Sequence, residues 1–310
     1  SIALRHLDFI QHHTNTNLTT ATLMSEEFIK EFTYHIAWRS RSRRPGRHKS
    51  NQRGMGMEFR GHTTLLSYPD PRRIDIRQTI RDPMEQVHVR IFNQKSVTPV
   101  FVICDMSGSM QYGSTRKKIE IAADISQSVA QSVTHNRDLV GFIGFDDVLR
   151  EDWLCTLSAR PHTVIEMAEN LRNYEAAEVG SHGIVDTVRL LPRERSLIFM
   201  VSDFHMPISD LEESLVLMQR HHIVPIVLWD TSEYADLPEF GITSVTDPET
   251  GAKRTLFLRK EYRERILQGF IERRKIIEDL FLRYDMQPFF VENSFDADQL
   301  SEYFHQYVAA

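Results

Sequence analysis

Apolar residues along the chain follow two rhythms that meet near residue 97. Before that point, extended runs such as MEFRGHTTLL (57–66), RIDIRQTI (73–80) and VHVRIF (87–92) are separated by Pro69, Pro71 and Pro83. Alternating runs bounded by breakers predict β-strands joined by turns. An amphipathic stretch from Glu26 to Trp38 predicts an N-terminal helix ahead of them. After residue 97 the pattern alternates between strand and helix. PVFVIC (99–104), LVGFIGF (139–145), SLIFMVS (196–202), IVPIVLW (223–229) and PFFVE (288–292) are continuous apolar runs of the kind buried on both faces of a sheet. Between them, Ala122, Ile125, Val129 and Val133 recur at helical spacing, as do Leu211, Leu215 and Met218, and Ile266, Phe270, Ile277, Leu280 and Tyr284. Pro161 to Leu171 reads as a further helix and the C-terminus as a last one.

Strand and helix in alternation predict an α/β fold, a doubly wound and mostly parallel sheet with helices on both faces. The expected domains are a helix, basic segment and β-rich appendage over 1–96 and the α/β body over 97–310.

Composition changes the picture in two places. At 310 residues, 41% hydrophobic and 26% charged, the chain has the balance of a globular protein rather than a disordered one. No apolar run reaches the length of a membrane span, and Cys104 and Cys155 both lie in apolar stretches, so a reducing, cytoplasmic setting is expected. The net charge of -6 is uneven. Arg39 to Arg53 (RSRSRRPGRHKSNQR) holds seven Lys and Arg without one acid, leaving 30 basic against 43 acidic residues elsewhere. Such a run is a solvated loop, or an electrostatic footprint for a nucleic acid or an acidic partner.

Ligands of open α/β sheets sit at the carboxyl ends of strands, at the point where strand order reverses. After PVFVIC comes Asp105-Met106-Ser107-Gly108-Ser109-Met110, and after SLIFMV comes Ser202-Asp203-Phe204. A carboxylate and two hydroxyls at alternate positions, facing a second carboxylate, make an all-oxygen site suited to Mg²⁺, Mn²⁺ or Ca²⁺ rather than zinc. Asp146 and Asp147 follow LVGFIGF and read as a solvated turn, while Arg72, Arg73 and Asp75 in DPRRID read as an ion-paired turn. His12-His13 and His221-His222 lack a third ligand at useful spacing.

The DxSxS pattern at Asp105, Ser107 and Ser109 resembles the metal-ion-dependent adhesion site of von Willebrand factor A domains. GRHKSNQRGMGMEFRGH, YPDPRRIDIRQTIRD and VHVRIF, leading into DMSGSM, resemble the bacterial family called domain of unknown function 58, from about Arg47 to Phe204 and more loosely beyond. That family carries a von Willebrand A-like domain and often accompanies MoxR-type AAA+ ATPases. The resemblance implies direct hydroxyl ligands from Ser107 and Ser109, with Asp105 and Asp203 acting at least partly through water. The family's further ligand is a Thr before the next helix. Here Val179-Gly180-Ser181-His182-Gly183 holds no Thr, so Ser181 is the expected ligand and His182 its neighbour. An open coordination position would accept a carboxylate from a protein partner.

Enzyme signatures are missing. The chain has no GxxxxGK[ST], Ser107 is not in a GxSxG elbow, and Ser107 stands where a phosphotransfer enzyme of the haloacid dehalogenase type has its second Asp. No enzymatic activity is expected, and the resemblance implies a metal-dependent interaction module serving a MoxR-type ATPase in client maturation or in metal or cofactor insertion. The alternatives are a nucleic-acid-associated module using residues 39–53 and a metal-dependent hydrolase using the same carboxylates.

Overall fold

A computed structural model describes residues 30–36, 38, 45–176, 180–234, 241–246, 253–258 and 260–308. The first part is a two-stranded antiparallel ribbon of β1 (Pro45–Thr64) and β2 (His88–Ser96), linked by a loop that carries the short helix α1 (Ile76–Arg81). RIDIRQTI is thus not the expected strand throughout. Asp75 accepts hydrogen bonds from the amides of Arg77 and Gln78 and starts a helix where alternation alone suggested extended chain.

The body follows as β3 (Pro99–Asp105), α2 (Lys118–Asn136), β4 (Leu139–Phe145), β5 (Leu149–Ser158), α3 (His162–Leu171), α4 (Ile184–Thr187), β6 (Leu197–Ser202), α5 (Ile208–Leu217) and β7 (His222–Trp229). It ends with a hairpin of β8 (Gly241–Thr246) and β9 (Lys253–Leu258), then α6 (Lys260–Arg283), β10 (Phe289–Glu292) and α7 (Ala297–Tyr307). Six strands form one sheet in the order β10-β7-β6-β3-β4-β5, parallel except for the edge pair β4 and β5. The fold is mixed α/β, with helices on both faces of a mostly parallel sheet.

The apolar runs are continuous because each strand feeds two cores. Val100, Val102 and Cys104 of β3 point into one, with α2 and α7, while Phe101 and Ile103 point into the other, with α5 and α6. Both cysteines are free thiols buried in the first core. That core also takes in residues 30–36, which are neither helix nor strand; the N-terminal helix expected over 26–38 is therefore corrected for this part, and residues 26–29 lie outside the described residues. Phe32 and Tyr34 are buried, the Phe32 amide donates to Ser132 Oγ at 2.9 Å, and the Tyr34 hydroxyl donates to Asp138 Oδ2 at 2.5 Å. Extended chain is favoured here because alternate residues then reach the core while the backbone bonds to α2 side chains.

Of the basic segment, residues 39–44 lie outside the described residues, and 45–53 belong to β1.

Candidate functional site

Strand order reverses between β3 and β6, because the chain first adds β4 on one side of β3 and later β6 on the other. Asp105 ends β3, and Ser202 and Asp203 end β6, so both expected acidic segments flank the switch point. Asp105 is buried, with Oδ1 accepting from the Ser107 amide at 2.9 Å and Oδ2 accepting from the Ser202 hydroxyl at 2.6 Å. Ser202 Oγ in turn accepts from the Phe204 amide at 2.8 Å. Ser107 and Ser109 lie at the 3₁₀ turn Gly108–Gln111, which brings their hydroxyl oxygens to 3.2 Å.

Asp203 is five residues ahead of α5, so it is not the acid of that helix's first turn. Its Oδ1 accepts from the His205 amide at 3.2 Å, and its backbone carbonyl accepts from Trp229 Nε1 at 3.0 Å. Phe204 follows in the left-handed region, with φ of 54°. Burial of its ring against Phe281 and two bonds from Arg273 to the Phe204 and Met206 carbonyls hold that conformation.

A lysine completes the cluster. Lys118, the first residue of α2, is 1% exposed and donates to Asp203 Oδ2 at 3.0 Å and to Glu233 Oε1 at 2.6 Å. Glu233 is held by a capping box with Asp230, whose carboxylate also accepts from the amide and hydroxyl of Ser114. Tyr112 Oη lies 3.0 Å from Ser232 Oγ. The loop after β3 and the loop after β7 therefore close over the site together.

Electrostatics separate the two aspartates. Burial, and then repulsion from Asp203, pushes Asp105 up to about 7. Burial also pushes Asp203 upward, but attraction to Lys118 and, less, to His205, with hydrogen bonds from Lys118 and Ser109, prevails and brings it to about 2. Burial lowers His205 despite its attraction to Asp203, and Lys118 is the main cation that keeps Asp203 ionised. Glu233 is raised by burial despite its bond to Lys118. Asp203 and Glu233 share the one ammonium of Lys118, and Asp105 stands beside Asp203 bonded by Ser107 and Ser202, so the cluster holds more carboxyl groups than paired cations.

The stretch around Ser181 packs on the turn after β4. The Gly183 amide donates to the Asp146 carbonyl at 3.0 Å, and Gly180 has φ of +141°, with a Cβ there falling 2.5 Å from Asp147 Oδ1. Glycine is required on both counts. Ser181 is buried, but among the described residues no hydrogen bond joins its hydroxyl to Ser107, Ser109, Asp105 or Asp203. The His182 ring pairs with Asp210. Asp146 is buried, pairs with Arg150 and accepts from the Val148 amide at 3.1 Å, so the solvated turn expected there is corrected, for Asp146, to a buried and ion-paired one. In DPRRID, Asp70 pairs with Arg73 at 3.1 Å, and Asp75 binds Arg90 at 2.7 Å and His62 at 3.0 Å, so the expected ion pairing holds for Arg73 and Asp75 but, among the described residues, not for Arg72.

The donor set suits a hard cation in part. Two hydroxyl oxygens 3.2 Å apart beside two buried carboxylates match the oxygen chemistry of Mg²⁺-class ions. Against this, Lys118 already occupies one Asp203 oxygen, and among the described residues no group of three or more His, Cys, Asp or Glu is arranged to hold a metal. Lys118, Ser202 and Glu233 escaped the sequence reading. Lys118 had a signal, since it stands four residues before Ala122, on the apolar stripe of its own helix, where a cation needs a buried partner.

Comparison with known proteins adds the following. A protein of Paracoccus denitrificans, described as an uncharacterized protein in the moxR 3' region, is 26% identical over 98 residues, covering 32% of this chain and 93% of that protein. An uncharacterized protein of Mycobacterium bovis is 24% identical over 189 residues, covering 60% of this chain, which spans 58% of that relative's length. Among solved structures, the conserved hypothetical protein BatB of Bacteroides thetaiotaomicron aligns over 68% of this chain and 97% of its own, at 12% identity and a TM-score of 0.44. An aerotolerance-related membrane protein of Bacteroides fragilis aligns over 68% of this chain and 98% of its own, at 11% identity and a TM-score of 0.42. The expectation of a cytoplasmic location is withdrawn: the Bacteroides fragilis protein and an uncharacterized protein of Vibrio fischeri are described as membrane proteins, which is said of those proteins, and no helix among the described residues is long and apolar enough to cross a membrane. The model of the family described as protein of unknown function DUF58 matches residues 69–276, and the chain belongs to that family.

Proposed function

We propose that the chain is a protein-interaction module of von Willebrand A-like type and the partner of a MoxR-type AAA+ ATPase. In this reading Asp105, Ser107, Ser109 and Asp203 hold a Mg²⁺-class ion, with Ser181 as the nearest replacement for the family's Thr. The observation that carries the reading is the charge deficit at the switch point. Asp105 is buried, hydrogen-bonded by Ser107 and Ser202, and pushed up to about 7 by burial and by repulsion from Asp203, while the one ammonium of Lys118 is bonded to Asp203 and Glu233. A divalent ion beside the two serines would supply the missing charge and present a Lewis-acidic position to a carboxylate of the partner. The protein's part is to fix the hydroxyls through the 3₁₀ turn, to orient Asp105 through Ser202, and to keep Asp203 ionised through Lys118. The MoxR link is supported by family membership and by the relative named for the moxR 3' region.

Calorimetric titration of Mg²⁺ and Mn²⁺ into wild type and Asp105→Ala tests the site. Saturable binding in the millimolar range or tighter is expected for wild type and none for the variant. The same null signal for both would leave Asp105 with a structural role only and would remove the ion from this reading.

A further inference from the structure

The far end of the β1–β2 ribbon carries a feature that the switch-point site does not use. Leu66 is 94% exposed, Ile76 68%, and Ile80 and Met84 78% each. These residues gather at one end of the ribbon. The Leu65 amide donates to the Val87 carbonyl at 2.7 Å, the Asp75 amide to the His88 carbonyl at 2.8 Å, and the His88 amide to Thr79 Oγ1 at 3.0 Å. The turn after β1, helix α1 and the loop before β2 are thereby tied to the first residue of β2. Ile76 and Ile80 are one helical turn apart and form an apolar stripe, and Arg77 and Arg81 form a basic stripe beside it.

Charge at this end is one-sided. Arg72, Arg77 and Arg81 are exposed, and among the described residues their side chains make no ion pair or hydrogen bond. The nearby aspartates are already engaged. Asp70 pairs with Arg73, Asp75 caps α1 and binds Arg90 and His62, and Asp82 accepts from the Met84 and Gln86 amides and from His88. Glu85 is the one acid left in the loop.

We propose that this end of the ribbon is a contact surface for an anionic phospholipid membrane. Four protruding apolar side chains that no described residue covers gain from entering a deformable apolar layer, and at 68–94% exposure they stand out from the surface rather than line a groove. Unpaired guanidiniums next to them match the geometry and charge of lipid phosphates. The surface lies outside the Asp105 cluster, so membrane contact and the switch-point site are separable by mutation.

Flotation with vesicles of phosphatidylcholine alone, and of phosphatidylcholine with a quarter phosphatidylglycerol, tests this. Wild type is expected to float with the anionic vesicles, weakly with the neutral ones, and less as salt rises. Ile76→Ser/Ile80→Ser/Met84→Ser should lower binding at least about tenfold, and Arg72→Gln/Arg77→Gln/Arg81→Gln should remove the preference for anionic lipid. Asp105→Ala should float as wild type does. All three positions of the serine variant are exposed, so an unchanged urea midpoint separates lost binding from lost folding. The proposal is overturned if wild type stays with the lipid-free fraction, or if the serine variant floats equally well. It is also overturned if that variant loses only a complex with an acidic protein.

Discussion

Replacing Lys118 with methionine should expose how much of this fold rests on one buried ammonium. Methionine keeps most of the stem volume, so the cost is electrostatic rather than a cavity. Lys118→Met leaves Asp203 and Glu233 without the bonds of 3.0 and 2.6 Å that now satisfy them, and Asp105 stands in the same buried cluster. Removing one partner of a buried ion pair costs about 3–5 kcal/mol, and two stranded carboxylates place this case toward the upper end. For a body of this size that corresponds to a fall in melting temperature of roughly 10 °C. Urea unfolding followed by tryptophan fluorescence would read it directly. The loss should be larger at pH 8 than at pH 4, because protonation relieves the carboxylates, and Asp203→Asn in the same chain should recover part of it. A loss below about 1 kcal/mol at pH 8 would refute the claim that Lys118 is the resident counter-charge.

Other outcomes follow from the same geometry. Because Asp105 rises to about 7 in the fold against the ordinary carboxylate value of 3.8, the folded state binds more protons between those pH values; stability should fall as pH rises from about 4 to 7, and Asp105→Asn should flatten that slope in pH-dependent urea midpoints. Asp203 has the opposite sign, and its contribution should disappear as pH falls from about 4 through 2. Tyr34→Phe removes the 2.5 Å hydrogen bond to buried Asp138 and should cost about 1–3 kcal/mol, with faster amide exchange over residues 30–36. In Mn²⁺ titrations Ser181→Ala should weaken binding and His182→Ala should not; the reverse result would move the ligand position to His182.

Most of the body was legible in the sequence because its strands are buried on both faces. LVGFIGF maps onto β4 without a shift, and PVFVIC and SLIFMVS onto β3 and β6 within one residue. What stayed hidden obeys other physics. β5 is an edge strand with exposed Glu151 and Asp152 on an unalternating background, and β8 and β9 form a separate hairpin. α1 depends on one capping aspartate rather than on a periodic stripe, and residues 30–36 are held by side chains of α2 instead of by their own backbone pattern. The acidic half of the site was legible because polar residues directly follow buried strands. The Lys118–Glu233 pair was not, since these two residues reach the cluster from elements 85 and 30 residues from Asp203 in sequence.

The central claim is that the switch-point cluster docks a partner's carboxylate across a divalent ion. Binding of the chain to the MoxR-type ATPase of the same genome, measured by calorimetry in Mg²⁺ and again in EDTA, tests it most directly. The account predicts a complex that forms in Mg²⁺, is lost in EDTA, and is absent for Asp105→Ala while Ile80→Ser leaves it intact. A complex that persists undiminished in EDTA and with Asp105→Ala would contradict it.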